Sequence, residues 1–141
     1  MSENAKMALK ALSIRQPWAW AIIHAQKDIE NRTWPTSYRG PVLIHAAKGM
    51  TRAEYADVAE FLQEFNPPIA LPPFEALDRG GLVGIADITG CVQDSPSPWF
   101  FGPHGFKLEN VRPLPFMPLK GALGFFAVPP EISAAVLEAL Q

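Results

Sequence analysis

Nine consecutive residues, Gln26-Lys27-Asp28-Ile29-Glu30-Asn31-Arg32-Thr33-Trp34, bring together an ammonium, a carboxylate, a guanidinium and an indole. Ile29, Asn31 and Thr33 alternate with Glu30, Arg32 and Trp34. That is the period of a β-strand, whose side chains point to opposite faces in turn. Glu30, Arg32 and Trp34 are therefore expected on one face. A ring to stack, a planar fork to donate and a carboxylate to accept suit a flat, hydrogen-bonding ligand such as a nucleobase. The competing reading is a surface strand with a local Glu–Arg pair and Trp34 closing the core.

The rest of the chain must position these groups. Its 141 residues read as one domain over 1–141, with a frayed lead at 1–7 and a C-terminal helix at 129–141. Hydrophobic residues make up 48% and charged residues only 18%, which excludes a disordered chain. A net charge of −2 advertises no long basic groove for duplex backbone, so any nucleic-acid contact is expected to be local. The single cysteine, Cys91, excludes an internal disulfide and a cysteine-rich metal site. No metal and no cofactor is expected. A cytoplasmic location is expected, since no apolar run approaches the ~20 residues of a membrane helix and the first residues lack a signal-peptide core.

Ala8 to Ile14 reads as a first strand, followed by a helix opening at Pro17, where a missing N–H costs nothing. Trp18, Ala21, Ile22 and Ala25 form the apolar face of that helix, and Trp18 is read as packing. Gln16 stands at the strand-to-helix corner, a place where free N–H groups and a polar side chain can meet a ligand. Pro41 to Ala47 is the next strand, with Val42, Ile44 and Ala46 on one face and Leu43, His45 and Ala47 on the other. His45 between apolar neighbours reads first as a satisfied core histidine and second as a ligand group. Lys48 follows at the strand end. Thr51 and Glu54 make a capping box for a helix to about Phe65.

Fifteen prolines punctuate the remainder. Residues 69–79 are irregular, with one short turn at Phe74 to Leu77. Gly80 to Val92 is a strand that its glycines bend. Asp94 to Gly105 is an aromatic loop expected to cover the open end of a barrel. Phe106 to Val111 and Ala122 to Val128 complete the strands. The order β–α–β–β–α–β–β–β–α, with no helices between the strands after Gly80, fits a doubly wound sheet poorly. It favours an α+β fold: a small β-barrel flanked by helices.

Leu12-Ser13-Ile14-Arg15-Gln16-Pro17-Trp18-Ala19, Lys27-x-x-Glu30-x-Arg32-x-Trp34, Tyr38-Arg39-Gly40 and Ile44-His45-Ala46 together resemble an ASCH domain. Gly84 to Cys91, Ser97-Pro98-Trp99 and Lys120-Gly121 extend the resemblance from about Leu9 to Val128. Gln26 stands where the family motif has glycine. The resemblance implies a PUA-like barrel that binds RNA or a modified nucleoside. It also implies a pocket between barrel and first helix lined by Lys27, Glu30, Arg32 and Arg39, with Trp34, His45 and Lys48 nearby. Two hydrolytic alternatives follow from relatives. One is an amidohydrolase on acetylated cytidine, in which Glu30, standing where the family has threonine, would act as base and Lys27 would polarise the carbonyl. The other is a single-strand ribonuclease using Glu30 or His45, Lys48 and Arg39.

Overall fold

Strands that are apolar on both faces must be covered on both sides, and three strands of this chain are. The computed structural model describes residues 8–141; the expected lead at 1–7 lies outside the described residues. In chain order the elements are β1 (Lys10–Ile14), α1 (Trp18–His24), β2 (Ile29–Arg32), β3 (Gly40–Ala46) and α2 (Arg52–Leu62). A 3₁₀ turn (Phe74–Ala76) follows, then β4 (Gly81–Val92), β5 (His104–Pro118), β6 (Phe125–Ala127) and α3 (Pro130–Ala139). The order is the one expected from the sequence.

The six strands form one sheet in the order β2-β5-β4-β3-β1-β6. β1 and β3 run parallel and every other pair is antiparallel. On one face Leu12, Ile14, Val42, Ile44, Ala86 and Phe106 form a single buried cluster with Ala19 and Ile22 of α1. On the other face Ala11, Leu43, Leu82 and Ile85 pack under Val136 of α3. Each fully buried Leu, Ile or Val contributes roughly 1.5–3 kcal/mol. The alternation of β3 was legible in advance; the structure shows that both of its faces are dry.

The sheet curls until its ends meet through side chains. Trp34, just beyond β2, lies edge-on to Phe106 of β5 at 5.2 Å and to Phe125 of β6 at 5.6 Å. Arg32 Nη2 at the end of β2 donates to the Ser13 carbonyl of β1 at 2.8 Å. The result is a half-barrel, closed by an indole and a guanidinium where a ladder would close a full one. β4 supplies the bend, with three register shifts along its pairing with β5. At Gly84 a Cβ would collide with Ile23 of α1 and lie 2.8 Å from the Arg112 carbonyl, so glycine lets helix and sheet approach.

Three expected boundaries need correction. β5 does not stop at Val111 but runs to Pro118 through Pro113 and Pro115. β2 pairs only with residues 104–107 of β5, so the later half has one free edge. There a proline's missing N–H breaks no ladder bond. α2 ends at Leu62 rather than near Phe65, and the last strand is the three-residue β6. The capping box of α2 is complete: Glu54 N–H donates to Thr51 Oγ1 at 3.0 Å and Thr51 N–H to Glu54 Oε1 at 2.7 Å.

The aromatic loop packs through Trp99 into a buried cluster with Ala21 of α1, Ile29 of β2 and Val58 and Leu62 of α2. Trp99 is buried against Phe65 at 4.7 Å and Phe61 at 5.7 Å. Asn31 of β2 holds the loop through its backbone, donating to the Trp99 carbonyl and accepting from Phe101 and Gly102. No helix among the described residues is long and apolar enough to cross a membrane.

Candidate functional site

Two groups of charged residues meet at Ser13, and their surroundings differ. The first is the Lys27–Glu30–Arg32 line. Glu30 and Arg32 share a face of β2, as the alternation requires, with Arg32 Nε donating to Glu30 Oε2 at 3.0 Å. Lys27 lies where the chain turns from α1 into β2. Its ammonium donates to the Ile29 carbonyl and lies 3.5 Å from Glu30 Oε1. Lys27 is 2% exposed and Glu30 7%. Burial pushes the Lys27 ammonium below the usual lysine range, opposed by the attraction of Glu30. These three groups spend their polar atoms on one another and on the backbone. Trp34 is half-buried and closes the half-barrel, with the Arg32 guanidinium 5.9 Å from its ring.

The second group surrounds a hollow of about 570 Å³ on the other side of Ser13. Lys48 at the end of β3, Arg79 before β4 and Lys120 after β5 line it, above Ser13, His45 and Gly121. Among the described residues none of these three cations forms an ion pair, and no carboxylate lines the hollow. Arg79 is held in place without being neutralised. It lies 5.3 Å from the Phe74 ring and donates to the Lys48 carbonyl at 3.3 Å. His45 is 2% exposed; its Nδ1 is 3.0 Å from Ser13 Oγ and its Nε2 is 2.6 Å from the Leu119 carbonyl. Gly121 allows the chain to lie against this pair, since a Cβ there would be 2.8 Å from His45 Cε1 and 3.1 Å from Ser13 Oγ.

The remaining expected site residues lie elsewhere. Gln16 is 2% exposed, accepts from Trp20 N–H at 2.8 Å and donates to the Asp78 carbonyl at 2.8 Å, so it caps α1 and ties down the segment before β4. Arg39 is exposed and folds back on the Thr36 and Tyr38 carbonyls of its own turn. The hollow between α1 and β5, about 420 Å³, takes in Lys27 but not Glu30, Arg32 or Arg39. Of the residues singled out from sequence, the structure brings Lys27, Glu30 and Arg32 together in one place and His45 and Lys48 in another.

Ser13, Arg79, Lys120 and Gly121 were not singled out as site residues. A hydroxyl amid Ala11, Leu12 and Ile14 was the one local signal for Ser13. Arg79 sits in an irregular segment and Lys120 in a connection, and neither has a periodicity to mark it.

No curated protein matches the chain in sequence. The ASCH domain family matches residues 12–119, a span that holds both charged groups except Lys120 and Gly121. This is narrower than the Leu9 to Val128 over which the resemblance extends. The half-barrel with its flanking helices, the Lys–Glu–Arg motif and this match agree: the chain belongs to the ASCH family, with a PUA-like fold and a general nucleic-acid-binding role.

Proposed function

We propose that the cation-lined hollow binds one unpaired nucleotide of a nucleic acid, and that the Lys27–Glu30–Arg32 line holds the wall behind it. The observation that carries this is Lys48, Arg79 and Lys120 converging without a carboxylate in a chain of net charge −2. Unpaired cations around a concavity attract phosphate, and each phosphate contact releases bound counterions. About 570 Å³ falls in the range of ligand sites and accommodates a nucleotide, though not a duplex. The planar Arg79 guanidinium offers a surface for a base, and single-stranded RNA is commonly read by such stacking.

Lys27 and Glu30, expected from sequence as catalytic or base-reading groups, serve here through Arg32. Arg32 links Glu30 to the Ser13 carbonyl and so fixes β1 at the floor of the hollow.

Fluorescence anisotropy with a labelled short single-stranded RNA tests this. Lys48→Ala and Lys120→Ala are each expected to weaken binding about tenfold and to lower the salt slope by about one. Lys107→Ala, on β5 outside the hollow, is expected to leave affinity unchanged. A Lys48→Ala/Lys120→Ala double variant that binds like the unaltered protein overturns the assignment.

A further inference from the structure

We propose that Ser13 and His45 are a nucleophile and base that cleave a carboxylic ester on a sugar hydroxyl of the bound nucleotide. The proposal rests on the nucleotide-binding reading above and adds chemistry to the same hollow.

The two residues are register partners on the parallel strands β1 and β3. Ser13 Oγ lies 3.0 Å from His45 Nδ1, within proton-transfer distance. His45 Nε2 lies 2.6 Å from the Leu119 carbonyl. A carbonyl oxygen only accepts, so Nε2 must carry the ring proton. The neutral ring then presents its Nδ1 lone pair to Ser13, whose hydroxyl donates to it. This is the tautomer a general base requires, and it is set by the positioning group behind the ring.

A serine–histidine hydrogen bond on a sheet is often only a satisfied polar pair. Two observations distinguish this one: both side chains line the hollow, and Lys48, Arg79 and Lys120 line it with them. Those cations hold the anionic part of a substrate, and they share the space in which the carbonyl oxygen gains charge.

The class of substrate follows from the positioning group. The group behind the ring is a neutral carbonyl where a full triad has a carboxylate, so less charge stabilisation is available to the transition state. That suits an ester, whose leaving group departs more readily than an amine. In a nucleotide, the groups that carry a carboxylic ester are the sugar hydroxyls.

Ser13 Oγ bonds to the acyl carbon as its proton passes to His45 Nδ1. The carbon–oxygen bond to the sugar then breaks, and the sugar oxygen takes that proton. Water attacks the acyl-Ser13 with His45 again as base, releasing the carboxylic acid and restoring the serine hydroxyl. The sum is ester plus water giving acid plus alcohol.

The test uses 3′-O-acetyl-AMP as substrate and AMP as ligand. Binding of AMP to the unaltered protein is measured by calorimetry, and deacetylation by chromatography. The expected result is turnover above the buffer rate, an acetyl adduct on the Ser13 peptide after rapid acid quench, and a loss of about 100-fold or more in Ser13→Ala. His45→Gln, checked for folding by circular dichroism, is expected to lose turnover, and Ser13→Cys to accumulate the acetyl adduct. AMP binding with no turnover, or turnover unchanged in Ser13→Ala, overturns the chemistry and leaves the nucleotide site standing. Absence of AMP binding together with absence of turnover overturns both.

Discussion

Arg32, tied through Glu30 to Lys27, bonds the Ser13 carbonyl, and Lys48, Arg79 and Lys120 line the hollow into which Ser13 opens. The two sets are built from the same residue types and do different work. Lys27 is stripped of water, which costs several kcal/mol for an isolated ion, so it survives only because Glu30 and the Ile29 carbonyl replace its hydration. The cations of the hollow keep access to water and have no carboxylate partner. A cation already paired and dry has little left to offer a ligand. A cation held in place but unpaired has its full charge to offer. The difference lies in the surroundings, and it separates a stability element from a binding element within one small region.

The sharpest way to break this contrast is Glu30→Gln. It leaves the buried Lys27, beside the partly exposed Arg32, without a carboxylate partner, and the expected cost is about 3–5 kcal/mol in urea unfolding. Lys48→Ala and Lys120→Ala should do the reverse. Each keeps unfolding within about 0.5 kcal/mol of the unaltered protein while RNA affinity falls. If Glu30→Gln left stability intact, or if Lys48→Ala unfolded the protein, the division of labour drawn here would be wrong.

A smaller effect sharpens it through pH. Burial lowers the Lys27 pKa in the folded chain below the ordinary 10.5. Between that lowered value and 10.5 the unfolded chain binds the extra proton, so this group's contribution to stability rises with pH across the window. Lys27→Met removes the titrating group, and urea unfolding at a series of alkaline pH values should show a shallower rise.

Arg15 and Glu54 give the smallest effect, because theirs is an exposed pair. The Arg15 guanidinium meets Glu54 through two bonds of 2.6 Å and holds its carboxyl well down, at about 2. The stabilisation is present above the ordinary carboxylate value of 4.5 and is lost as pH falls from there toward about 2. Both side chains are more than a third exposed, so solvent screening keeps the contribution below about 1 kcal/mol. Glu54→Gln should flatten acid unfolding in that window by no more than this.

Much of the fold was legible because it rests on local periodicity. The alternation in β2 put Glu30 and Arg32 on one face, and the structure joins them at 3.0 Å. The threonine and glutamate of the capping box marked the start of α2. The proline-bearing half of β5 was not legible. Its prolines are tolerated because β2 is too short to cover that edge, and no property of residues 113–118 records the length of a strand more than 80 positions earlier.

By itself the sequence determined which residues alternate, which carry charge, and that the strands after Gly80 pair without intervening helices. Tertiary structure alone decided which charges became dry. Desolvation depends on what packs around a group, and the packing comes from distant segments: Trp18 near Lys27, β6 against Trp34, and Arg79 and Lys120 beside Lys48. A lysine's type is set locally, but its access to water is set by the whole chain.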